Sequence, residues 1–99
     1  MNKLLYYKKG NNLIAEFLQH NELISQRTEG VYIAGSYHKK WGDLIEAIQE
    51  ACNIVPPMHK ASFNISIIGR TIDDVYGDFI YAINKFNLIQ NLNKKESEE

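Results

Sequence analysis

Two short stretches of this chain combine residue types suited to holding an anion. Tyr37-His38-Lys39-Lys40-Trp41-Gly42-Asp43-Leu44 runs from a predicted strand into a predicted helix, and Arg70-Thr71-Ile72-Asp73-Asp74 repeats the arrangement. In both, basic side chains stand where a helix dipole is already positive, a placement that favours a bound anion. If the two helix starts meet, His38, Lys39, Lys40, Arg70 and Thr71 form one composite site. Side chains would supply charge there, and the first helical N–H groups would supply donors. Trp41 or Tyr37 would stack on a base or ring. A phosphorylated nucleotide fits such groups better than a free amino acid or sugar. The plainer alternative is solvated loop lysines beside a core tryptophan, because helix-end effects amount to only about 0.3–1 kcal/mol.

The remaining reactive residue types form no recognisable catalytic set. Asp74 and Asp78 are four apart and share a helical face with room for a metal or an acid/base pair. Asp73 and Asp74 also fall in a first helical turn, where carboxylates simply favour the dipole. Cys52 lies on an apolar helical face and reads as a small packed hydrophobe. A single cysteine excludes an internal disulfide, and His20, His38 and His59 lack metal-ligand spacing. No strained nucleophile turn marks a serine for acyl transfer. The expectation is a protein that is not an enzyme, with no cofactor and no metal.

Composition narrows the setting. Ninety-nine residues, 44% hydrophobic and 23% charged, describe one ordinary globular domain. A chain of this size buries roughly 60–70% of its unfolded surface, enough for one modest core. Six tyrosines, four phenylalanines and one tryptophan supply material for it. A net charge of -1 argues against binding to a nucleic acid polymer. No signal-peptide region or membrane-length apolar run is seen, so a protein of the host cell cytosol, with no membrane partner, is expected.

The elements that would position these residues follow from local patterns. Lys3–Lys8 and Leu13–Leu18 read as strands around the turn residues Lys9-Gly10-Asn11-Asn12. Glu22–Arg27 and Val31–Tyr37 read as a second hairpin around Thr28-Glu29-Gly30. From Trp41 the period becomes helical, with Trp41, Leu44, Ile45, Ile48 and Cys52 on one face. Pro56-Pro57 ends that helix and opens a loop. Phe63, Ile65 and Ile67 alternate with Asn64, Ser66 and Ile68 as a fifth strand, punctuated by Gly69. Ile72, Val75, Tyr76, Phe79, Ile80, Ile83 and Phe86 then mark a long helix capped by Thr71 and fraying after Ile89. Gly77 inside it suggests close approach of another backbone, since glycine costs about 1 kcal/mol there against alanine. The order ββββαβα implies an α+β two-layer sandwich, a mostly antiparallel sheet with two helices on one face. Residues 1–92 form the domain, and 93–99 are expected to be a disordered charged tail.

Three segments carry a family resemblance. Asn12-Leu13-Ile14-Ala15-Glu16-Phe17-Leu18, Tyr37 to Leu44, and Val75 to Asn87 resemble a group of short phage and prophage proteins. In that group an LIAEFM stretch precedes a YHxSWxxL helix start and a VYxAVVxFIxWYN final helix. Lys40 stands where the group usually has serine, and Lys85-Phe86-Asn87 where it usually has Trp-Tyr-Asn. The resemblance implies no catalytic residues. It suggests a counter-defence role, in which a homo-oligomer sequesters a nucleotide immune signal.

The leading expectation is therefore a non-enzymatic, phage-derived binding protein for a small phosphorylated nucleotide, acting as a homo-oligomer. Tyr76 and Tyr81 lie on different faces of the last helix, and whichever reaches the surface would form the seam between copies with Ile80 and Ile83. The chief rival is a protein-interaction module or inhibitor acting on a host or phage protein. The weakest is a metal-dependent hydrolase built on Asp73, Asp74 and Asp78.

Overall fold

The structure, a computed structural model, describes residues 3–23, 33 and 35–98, with side chains as far as Leu92. It is all-helical. Three α-helices, α1 (Lys3–Leu18), α2 (Trp41–Ile54) and α3 (Ile72–Glu98), are joined with 3-10 segments at Asn21–Leu23 and Pro57–Phe63. No strand occurs among the described residues, so the expected α+β sandwich with order ββββαβα is incorrect. The Thr28-Glu29-Gly30 hairpin falls largely outside the described residues.

The first expected hairpin is a single helix instead. Gly10, Asn11, Ile14, Ala15 and Leu18 form its buried face, spaced as a helical stripe. Gly10-Asn11-Asn12 looks like turn chemistry in sequence, yet all three lie mid-helix because tertiary partners override their propensity. α1 ends in a Schellman motif. The Gln19 N–H donates to Glu16 O at 3.2 Å and the His20 N–H to Ala15 O at 2.8 Å, with Gln19 at φ 61°.

α2 and α3 follow their sequence periodicity. Leu44, Ala47, Ile48 and Ala51 are buried along α2, which stops before Pro56-Pro57. Val75, Tyr76, Phe79, Ala82 and Ile83 are buried along α3. The Thr71 hydroxyl accepts from the Asp74 N–H at 3.1 Å, the expected cap. The helix continues to Glu98, well past Ile89. α1 and α3 run parallel, since Lys3 meets Asp73, Asn11 meets Tyr76 and Phe17 meets Phe86.

The expected fifth strand is also absent. Phe63 closes the second 3-10 segment and enters the core, with ring centroids 5.5 Å from Phe17, 6.2 Å from Phe79 and 6.2 Å from Phe86. Beyond it the chain passes through Ile65 to a tight turn in which the Arg70 N–H donates to Ile67 O at 3.3 Å. Gly69 sits there at φ 72°, a conformation that favours glycine.

The two mid-helix glycines differ in purpose. A Cβ on Gly10 would lie 2.0 Å from Tyr76 Oη and 2.8 Å from its Cζ, so Tyr76 can pass only over a glycine. A Cβ on Gly77 would meet only Tyr6 Oη, at an ordinary 3.7 Å. No neighbouring backbone therefore explains Gly77. Gly77→Ala is expected to stabilise the protein by about 0.5–1 kcal/mol through helix propensity and unfolded-state entropy. Gly10→Ala is expected to destabilise it despite the same propensity gain. Urea midpoints of the two variants check both signs, and a stabilised Gly10→Ala would contradict the packing described.

Candidate functional site

A polar network threads the α1/α3 interface and centres on Asn11, which is 1% exposed. The Tyr76 hydroxyl donates to Asn11 Oδ1 at 2.9 Å, with the Tyr7 carbonyl a longer second acceptor at 3.3 Å. Asn11 Nδ2 lies 3.0 Å from Gly35 O and 3.0 Å from His38 Nδ1. A carbonyl can only accept, so the amide's NH2 end must face Gly35. The other amide hydrogen then points at His38 Nδ1, which must be an acceptor. His38 is thereby held as the neutral tautomer protonated on Nε2. Its ring stacks on Tyr7 at 4.6 Å between centroids. Burial first, and then the Lys39 charge, lowers the His38 pKa from its ordinary value.

Tyr7 carries the network to the start of α3. Its hydroxyl donates to Asp73 Oδ1 at 2.8 Å, and Lys3 Nζ lies 3.2 Å from the other carboxylate oxygen. The Tyr7 hydrogen bond, and then that of Lys3, holds the Asp73 carboxyl below its ordinary range. Burial pushes the Tyr76 hydroxyl well up, with the neighbouring Tyr6 and Tyr7 adding to it.

The residues expected to bind an anion are dispersed. Lys39 and Lys40 are exposed, and Trp41 is 37% exposed at the start of α2, with Lys40 as an N-cap that makes no side-chain hydrogen bond. His38 is half-buried and accepts from Asn11, an arrangement for a neutral imidazole. Tyr37 is buried and turned toward His20 Nδ1, 3.2 Å away, with no free ring face for stacking. Arg70 is engaged by Asp78 at 2.6 Å and by the carbonyls of Ser66 and Asp74, while Thr71 caps α3. The α2 and α3 starts do approach through Tyr7, which touches both His38 and Asp73. Carboxylates already occupy both first turns, Asp43 in α2 and Asp73 and Asp74 in α3.

Tyr7 and Lys3 hold the Asp73 carboxylate and Arg70 holds that of Asp78, and no group of His, Cys, Asp or Glu among the described residues is placed to hold a metal. Cys52 is half-buried, its thiol donating to Phe63 O at 3.0 Å. A cleft of about 320 Å³ beside α2 is acidic, with Glu22, Asp43, Glu46 and Glu50 at its walls. Burial, then Glu50 and Asp43, pushes the Tyr37 hydroxyl at its edge up to about 12. The Ser36 hydroxyl donates to Asp43 there, and His20 Nε2 pairs with Glu50 at 3.2 Å.

Sequence reasoning missed Tyr7, Asn11 and Tyr76 as a linked set. The available signal was Asn11 in register with Tyr7, Ile14 and Leu18, a polar residue inside an apolar helical stripe. Comparison with family models, with curated proteins and with solved structures finds no match.

The Asp73 geometry generates a pH prediction. Its folded-state pKa lies below the ordinary 3.8, so the stability it contributes is present above that pH and is lost as pH falls through the folded value. Tyr7→Phe removes the larger cause. Its Asp73 titration, followed by side-chain carboxyl NMR, should move up toward the ordinary value; an unmoved midpoint would contradict the assignment.

Proposed function

We propose that this protein is a non-enzymatic protein-interaction module whose α1/α3 groove receives an amphipathic helix with an acidic edge. The observation that carries the reading is the groove itself, about 390 Å³ and lined by Tyr6, Lys9, Gly10, Leu13, Ile80 and Asn84. Tyr6, Leu13 and Ile80 make it apolar, and the paired helices give it the straight form that a third helix fits. Charge favours an acidic partner. Lys9 lines the groove, and α1 has no carboxylate before Glu16. Leu5, exposed on α1 one turn before Lys9, adds apolar area near the groove's start. Under the likeness to short phage proteins, the partner would be a host or phage protein.

A synthetic amphipathic helix with a leucine stripe and glutamate edge serves as the probe. Its addition should shift the NMR signals of Tyr6, Lys9, Leu13, Ile80 and Asn84, and Lys9→Glu should weaken binding about threefold to tenfold. Equal binding of a lysine-edged control peptide, or shifts confined to other surfaces, would refute the reading.

A second reading is supported by the exposed Lys39, Lys40 and Trp41 at the uncapped start of α2, a smaller site for a phosphorylated nucleotide than the sequence suggests. Thermal unfolding against mononucleotides, cyclic oligonucleotides and ADP-ribose derivatives tests it. A ligand at 100 times its dissociation constant should raise the midpoint by roughly 10–20 °C, and Lys39→Ala with Lys40→Ala should abolish the rise. A flat panel would remove this reading.

A further inference from the structure

We propose that the Asn11–His38 hydrogen bond is a proton-sensitive latch, which holds segment 35–40 on α1 while His38 is neutral and releases it when His38 is protonated. The orientation of the Asn11 amide is over-determined. Tyr76 donates to its oxygen, and Gly35 O accepts from its nitrogen, so the amide cannot turn to suit a changed imidazole. A proton on His38 Nδ1 would therefore point at an NH2 group, replacing a hydrogen bond with two opposed donors. Segment 35–40 is tied to α1 by this bond and by the neighbouring Asn11–Gly35 bond. Release would loosen both, together with the turn in which the Lys39 and Lys40 N–H groups donate to Ser36 O at 3.2 and 3.0 Å. Lys39, Lys40 and Trp41 move with that turn, so the latch controls the surface at the start of α2.

The groups facing His38 set where the latch opens. From α1, the Tyr7 ring stacks on it and tolerates a charged imidazole, while Asn11 does not. From α3, the Asp73 carboxylate favours the proton, but Tyr7 and Lys3 already hold that carboxylate. On its own segment, Lys39 opposes the proton, as does partial burial. Opposition prevails, so the transition lies below the ordinary histidine value of 6.5. The latch's contribution to stability is whole above that pH and is lost as pH falls through the folded-state pKa. His20 lies on the far side of the same segment, against Tyr37 and Glu50, and must be separated by its own variant.

Amide hydrogen exchange between pH 7.5 and 5.0, corrected for intrinsic rates, reads the latch at Lys39 and Lys40. Protection there should fall about fivefold or more, the equivalent of one net hydrogen bond, while Phe79 and Ile83 stay protected. His38→Gln offers an acceptor that does not titrate and should abolish the step; His20→Gln should retain it. In the wild-type protein, imidazole nitrogen shifts should show the Nε2–H tautomer at pH 7.5. A step that survives in His38→Gln, no step in the wild type, or an Nδ1–H tautomer would overturn the proposal.

Discussion

The buried amide of Asn11 is the constraint on which the α1/α3 arrangement depends. A polar side chain at 1% exposure is costly unless its donors and acceptor are all matched. Three residues from two separate parts of the chain provide the match: Tyr76 from α3, and Gly35 and His38 from the segment before α2. Apolar packing alone would tolerate some sliding of α1 along α3. The amide does not, because a displacement of one residue leaves it unpaired in a medium where that is expensive. Gly10 belongs to the same constraint, since only its missing side chain lets the Tyr76 hydroxyl reach Asn11.

Around that fixed point the aromatic residues divide into two groups. Phe17, Phe63, Phe79 and Phe86 interlock further along α3 than Tyr76 and close the core from the 3-10 segment. Tyr6, Tyr7 and Tyr76 gather at the first turns of α3, with hydroxyls that serve the polar network or reach solvent. The phenylalanine end is built for burial and the tyrosine end for connection. The latch lies at the tyrosine end, and the apolar groove runs from Tyr6 there along α3 to Asn84.

The legible and illegible parts of the sequence differ for physical reasons. α2 and α3 were readable because their buried residues recur at 3.6-residue spacing and their ends carry Thr71 and Pro56-Pro57. α1 was not, because Gly10-Asn11-Asn12 has turn chemistry and its partners are more than twenty residues away in sequence. The alternation from Phe63 to Ile68 suggested a strand, yet a strand needs a neighbour to pair with, and the described residues offer none. The helix start beside Lys39 and Lys40 is legible because the apolar spacing turns helical at Trp41, where α2 begins. Arg70 reads as a ligand contact in sequence, but Asp78 lies one turn beyond Asp74 and engages it internally. The sequence offers His38 as a phosphate contact, whereas the Asn11 amide makes its Nδ1 an acceptor.

The most direct test of the central role given to Asn11 is a double-mutant cycle between Asn11→Ala and Tyr76→Phe, measured by urea unfolding. If the amide network ties α1 to α3, the two changes should be strongly non-additive, with a coupling of about 0.5–3 kcal/mol. Additivity within about 0.3–0.5 kcal/mol would mean the two groups act independently, and packing alone would then have to account for the register of these helices.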